Sequence, residues 1–215
     1  PAREVLTEVL KVRPLRAITL SGAIDLAFVG GADLKVLCAL DRSKAEAFIR
    51  SIHNFCQVVR EAPVPVVAIM RGFCIGAGLE IAAACDFRLG DDSVQCGMPE
   101  VRVGVPSVVE AALLPGLIGW GKARELMLRG NLIDAQEALN IGLLQQLVAA
   151  PDLAALVDSV CDDLLAAGPL AMAAQKRLFL AWEEALPAAA IEAGVDARSE
   201  ERRVGREDGR RGRAG

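Results

Sequence analysis

Five apolar residues in a row, Val66-Val-Ala-Ile-Met70, come directly after Ala62-Pro63-Val64-Pro65 and run into Gly72, Gly76 and Gly78. An uninterrupted apolar run of strand length fits a strand covered on both faces, because a half-solvated strand would alternate. The prolines end whatever helix precedes it. Glycines after the strand let the chain turn tightly, and the spacing predicts a helix over Ala77–Cys85. A chain with this at its centre must cover both sides of a sheet, which points to the α/β class.

The same strand-to-helix pattern occurs earlier. Arg16–Leu20 reads as a strand, Ser21-Gly22 as a turn, and Phe28-Val29-Gly30-Gly31-Ala32-Asp33 leads into a helix-compatible Asp33–Leu40. Ser43 and Glu46 form a capping box. Behind it, Ala45, Phe48, Ile49, Ile52, Phe55, Cys56 and Val59 keep the i, i+3, i+4, i+7 spacing of an amphipathic helix. Asp86–Leu89 and Val94–Gly97 read as strands around a turn. From residue 107 the pattern becomes helical: Ser107–Leu114, Lys122–Arg129, a helix capped by Asp134 and Glu137, then Leu153–Ala167 and Leu170–Leu186, with a short strand within Leu143–Val148.

At 215 residues and 53% hydrophobic the chain suits one domain plus an appendage. Its uncharged stretches are too short and too broken for a membrane span, and Pro1–Leu10 is amphipathic rather than a signal peptide. Six cysteines, at 38, 56, 74, 85, 96 and 161, come without a C-x-x-C pair and with a single His, so reduced, buried thiols in a cytosolic or matrix protein are expected and a zinc site is not. The net charge of −4 conceals a basic end: Arg198–Gly215 carries seven Arg against four acids. The remaining body is acidic and offers nucleic acid no basic stripe. The tail, nearly free of large apolar residues, reads as disordered and as the product of a sequencing-adapter read-through.

The glycine-flanked helix starts carry the chemistry. The first N–H groups of a helix have no acceptor within it and lie at the positive end of its dipole, so they can hold a developing negative charge. Two such starts, at Ala32 and Ala77, could share one oxygen as an oxyanion hole. Taken alone, each cluster reads more readily as a tight strand-to-helix turn. Glu80 lies one helical turn from Ala77 on the same face, and Glu100, after Pro99 at a strand end, can return to the same cleft. Two carboxylates near one carbonyl are suited to proton transfer if their environments push their pKa values apart. The alternatives are a helix-dipole carboxylate for Glu80 and a solvated residue for Glu100. A dinucleotide loop starting at Gly76-Ala77-Gly78 fails, because Ile81 fills the third glycine position and Glu80 would oppose the pyrophosphate. No G-x-S-x-G occurs, and His53 falls on the polar side of its helix with Arg50, Asn54 and Gln57, where solvent exposure explains it.

Phe28–Lys35 (FVGGADLK), Pro65–Glu80 (PVVAIMRGFCIGAGLE), Cys85-Asp86, Gly97–Gly104 (GMPEVRVG), Leu117–Ala123 (LIGWGKA) and Ala135–Leu143 (AQEALNIGL) together resemble the enoyl-CoA hydratase/isomerase (crotonase) family, over roughly residues 5–197. The resemblance implies a ClpP/crotonase-like spiral of β-β-α units with a helical C-terminal trimerisation region. On that plan, residues 1–130 are the α/β core, 131–197 the helical region and 198–215 the tail. Pro1–Val12 already reads as helix where the family has its first strands, so those strands and the native C-terminus are expected to be missing.

What the resemblance implies for function is a lyase of fatty acid metabolism. It would reversibly hydrate a 2-enoyl-CoA as a homotrimer or hexamer in the cytoplasm. Coenzyme A would belong to the substrate, with no separate cofactor. Ala32 and Ala77 match the oxyanion-hole amides, Glu80 the carboxylate that activates water, and Glu100 the one that exchanges a proton at the α-carbon. Gly31, Asp33, Leu34, Lys35 and Gly76 match positions along the substrate and its CoA moiety, although Lys35 is equally readable as an exposed helix lysine. Isomerase, dehydratase or decarboxylase chemistry, or an inert acyl-CoA-binding scaffold, fit the same fold. Ser107 to Val109 are bulkier than the family's glycine-rich segment there. Glu110 adds a third acid, read as a first-turn helix residue.

Overall fold

The structure is a computed structural model, and it describes residues 2–24, 26–33 and 42–184, without the side chains of 42, 43 and 184. After α1 (Ala2–Val9), the chain lays down strands in pairs that part company. Strands β1 (Ile18–Ser21) and β2 (Ala27–Val29) precede α2 (Arg42–Arg60). Next, β3 (Val66–Met70) and β4 (Phe73–Ile75) precede α3 (Ala77–Ala84), and β5 (Phe87–Asp91) and β6 (Gln95–Gly97) follow. The first member of each pair joins one sheet and the second joins another. One sheet has the order β1-β3-β5 and the other β2-β4-β6, all parallel. Each β-β-α unit therefore advances both sheets by one strand, which makes a spiral.

Two 3₁₀ turns, Pro99–Val103 and Val109–Leu113, lead into α4 (Leu114–Arg129), which is broken at Gly119. The stretch beyond is not purely helical. Strand β7 (Leu132–Asp134) closes the second sheet antiparallel to β6, and β8 (Gln146–Val148) extends the first beside β5. Between them is α5 (Ala135–Asn140), capped by Asp134 Oδ1, which accepts from the Glu137 N–H at 2.8 Å. The chain ends its described part with α6 (Leu153–Ala166) and α7 (Pro169–Glu184).

The apolar run at 66–70 is buried on both faces. Val66, Ala68 and Met70 enter the main core with Leu79, Ala82, Met98 and Leu114, while Val67 packs with Leu89 and Leu153 beneath α6. At about 25 cal/mol per Å² of apolar surface, this double coverage explains why the strand needs no polar face.

Two buried polar groups tie the helices to the sheet. Arg88, 1% exposed, donates to the carbonyls of Leu143, Ala82 and Cys85, so it occupies the C-terminal end of α3, where a cation opposes the helix dipole. Lys176 Nζ of α7 reaches both oxygens of Asp86 at 2.7 and 2.8 Å, and Asp86 Oδ2 also accepts from the Val66 N–H.

Residues 34–40 of the helix expected over Asp33–Leu40 and the side chain of Ser43 lie outside the described residues. The helix expected over Ser107–Leu114 is a 3₁₀ turn starting at Val109. Strands β4 and β7 were not expected at all. The five described cysteines are free, four of them buried, and Cys38 lies outside the described residues. Among the described residues no helix is long and apolar enough to cross a membrane.

Candidate active site

The parallel pairing of β2 with β4 delivers two glycine segments to one place. Val29 is in register with Cys74, so Gly30-Gly31-Ala32 and Gly76-Ala77 leave neighbouring strands in the same direction. At Gly31 a β-carbon would lie 3.2 Å from the carbonyl oxygen of Ile75. Ala77 opens α3, so its N–H belongs to the first-turn donors that lack an acceptor within the helix. Ala32 and the exposed Asp33 are described, whereas Leu34 and Lys35 lie outside the described residues.

Gly76 precedes the helix with φ 55° and ψ −121°, a backbone that L side chains rarely adopt. Space forbids a side chain there as well, since a β-carbon would come within 2.5 Å of Glu100 Oε1. Glu100 is therefore folded back over the start of α3. It does not end a strand, as its sequence position suggests. It stands in the Pro99–Val103 turn, partly buried, with Oε2 accepting from Ser107 Oγ at 3.0 Å.

Glu80 is 4% exposed, and its Oε1 accepts the main-chain N–H of Ala111 at 3.1 Å. Burial pushes its pKa from 4.5 up to about 8; the Ala111 bond works against this, and the charges of Glu100 and Glu110 add to it. Glu80 thus holds its proton at neutral pH. That is not a helix-dipole carboxylate, which would favour ionisation.

Two residues behave differently from what their sequence positions imply. His53 is on the outer part of α2, 43% exposed at its side chain, yet Nδ1 lies 2.8 Å from Glu110 Oε1, so solvent exposure does not account for it. Glu110 does stand in the first turn of the Val109–Leu113 helix, but at 3% exposure it is buried, and among the described residues its Oε2 has no hydrogen-bond partner. The only sequence signal for it is an acid set between Val108-Val109 and Ala111-Ala112-Leu113-Leu114.

A cavity of about 620 Å³ opens elsewhere, lined by the C-terminal half of α3 and by α7, with Asp86, Lys176, Phe179 and Trp182 among its walls. Neither Glu80 nor Glu100 lines it.

The chain was compared with known proteins. The model of the family described as enoyl-CoA hydratase/isomerase matches residues 3–203. A crotonyl-CoA hydratase of Syntrophomonas wolfei is 30% identical over 81% of this chain and 67% of its own length. The enoyl-CoA isomerase/hydratase fer4 of Mycosarcoma maydis is 29% identical over 80% of this chain and 63% of its own. The chain thus spans about two thirds or less of the curated relatives it matches. Among solved structures, an enoyl-CoA hydratase from Bacillus anthracis superimposes with a TM-score of 0.87 at 28% identity, covering 92% of this chain and 77% of that one. One from Mycobacterium smegmatis gives 0.88 at 22% identity, over 93% and 78%. The spiral of β-β-α units is thus the crotonase fold, and the chain belongs to the enoyl-CoA hydratase/isomerase family.

Proposed function

We propose that this chain catalyses the reversible hydration of a 2-enoyl-CoA. The observation that carries the reading is the pair of differently held carboxylates at the first turn of α3: Glu80 buried under the Ala111 amide, Glu100 folded over Gly76. In hydration, water adds to C3 and gives a proton to ionised Glu80. The double-bond electrons move to the thioester oxygen, held by the N–H groups of Ala32 and Ala77, and protonated Glu100 then supplies the proton at C2. This addition leaves the proton on Glu80 and none on Glu100, and exchange with solvent after product release deprotonates Glu80 and reprotonates Glu100 for the next turnover. Dehydration starts from protonated Glu80, and burial of Glu80 favours that state. One proton shared by two carboxyls therefore serves both directions.

The finer parts of the reading follow the same line. Gly31, Asp33 and Gly76 border the substrate and its CoA moiety, a role the family resemblance extends to Leu34 and Lys35 by sequence alone, and coenzyme A is needed only as part of the substrate. Exposed Leu170, Phe179 and Trp182 on α7 support assembly into a homotrimer or hexamer, in a cytoplasmic protein.

A second reading has an observation of its own. With Glu80 protonated and Glu100 beside Ser107, a single base could move a proton between C2 and C4, which is isomerase chemistry.

The test is loss of the conjugated thioester absorbance of crotonyl-CoA, for this chain and for one extended at both ends. Turnover supports hydration. Its absence in both, with conversion of a 3-enoyl-CoA to the 2-isomer, makes the enzyme an isomerase. Absence of both reactions leaves an acyl-CoA-binding scaffold.

A further inference from the structure

Glu110 is the buried acid that the proton chemistry does not use. Among the described residues its Oε2 lacks a hydrogen-bond partner, and an orphaned buried polar atom is costly, more so when charged. The residue before it, Val109, has φ 43°, a left-handed backbone that is strained for a β-branched side chain. The residue after it, Ala111, donates its N–H to Glu80. One turn therefore carries backbone strain, a buried acid and the only described hydrogen bond to the Glu80 carboxyl. Strain of this kind persists only where the surroundings impose it.

The surroundings are supplied by α2. His53 grips Glu110 Oε1 at 2.8 Å, and Cys56, one helical turn further on the same face, fronts the same carboxyl. Burial pushes the Cys56 thiol far above its usual range, and the Glu110 and Glu80 charges push it further, so it stays a neutral thiol. The titratable groups around Glu110 are thus His53 and Cys56 from α2 and Glu80 from α3. Glu100 acts on Glu80 from the far side.

We infer that His53 and Glu110 are positioning residues for Glu80: their contact pins the turn at 109–111 to α2, so that the Ala111 N–H meets Glu80 Oε1. The Glu110 charge beside it also favours the proton on Glu80. The inference rests on Glu80 as a proton handler. His53 is the outer end of the device and Glu80 the inner end.

The experiment follows the Glu80 carboxyl by ¹³C NMR titration, assigned with Glu80→Gln, alongside kcat and KM for crotonyl-CoA. Glu110→Gln keeps the shape and removes the charge, so the Glu80 midpoint should fall. His53→Leu should lower kcat by about 10-fold to 100-fold with little change in KM, because Glu80 loses its orientation. His53→Asn, whose amide can stand where Nδ1 stands, should restore most of it. An unmoved midpoint in Glu110→Gln overturns the inference, as does full kcat in His53→Leu or no recovery in His53→Asn. If the wild-type chain turns over no enoyl-CoA, the hydratase reading fails, while the titration still decides whether Glu110 governs Glu80.

Discussion

Glu100 Oε1 occupies the space that a side chain on Gly76 would need: the two would stand 2.5 Å apart. The acid and the turn residue are fitted to each other, one by folding back and the other by having no β-carbon.

Gly76→Ala tests that fit. The methyl group would meet the carboxylate and also sit at φ 55°, so either Glu100 moves or the backbone ahead of Ala77 does. Strain of about 1–3 kcal/mol is expected in stability, measured by urea unfolding. Turnover should fall by about 100-fold or more, since both the acid and the amide donor are displaced. Normal kcat would show that neither takes part.

The proton on Glu80 makes stability depend on pH. Its folded pKa of about 8 lies above the ordinary 4.5, so the folded chain binds a proton that the unfolded chain has released across that window. Stability is therefore lost as pH rises from about 4.5 to about 8. Each unit of displacement corresponds to about 1.4 kcal/mol. Glu80→Gln removes this cost, so its melting temperature should exceed that of the wild type by a margin that widens over this range and then levels off. Parallel curves would contradict a buried, protonated Glu80.

Ser107 should matter to rate more than to folding. Its hydroxyl is half-buried and donates to Glu100 Oε2 at 3.0 Å. At this partly exposed position water can replace the hydroxyl, so the bond fixes the direction of the carboxyl more than it stabilises the fold. Ser107→Ala should reduce kcat by about tenfold, and Ser107→Thr should recover part of it. Unfolding curves for both should overlay the wild type within about 0.5 kcal/mol.

Lys176 should matter to folding. It is 6% exposed and bonds both oxygens of Asp86, joining α7 to the start of β5. Lys176→Met leaves that carboxylate with only the Val66 N–H, and breaking a buried pair from one side costs about 3–5 kcal/mol. Chemical denaturation should show a loss of that order. A loss below about 1 kcal/mol would mean the pair is solvated.

The longer elements were legible because each repeats a physical period often enough to be read. The apolar spacing from Ala45 to Val59 gives α2, and the unbroken run at 66–70 gives β3. Strands β4 and β7 span three residues each, too few to show alternation, and they exist because a neighbouring strand offers hydrogen bonds. The site divides the same way. Ala77 and Glu80 are linked by helix geometry that sequence alone supplies. Glu100 was placed near them only by supposing a chain reversal, and the reversal is a 3₁₀ turn rather than a strand end. His53 and Glu110 are 57 residues apart, and nothing local marks either as a partner of the other.

The parallel alignment of β2 and β4 has one further consequence. Neighbouring strands are about 4.8 Å apart, and one step along either is about 3.3 Å. The two segments therefore depart from neighbouring points of one sheet, across a pairing whose register shifts between Ala27 and Val29. Exchanging side chains around the site can alter what fits between Ala32 and Ala77, while main-chain pairing keeps the strands they leave side by side.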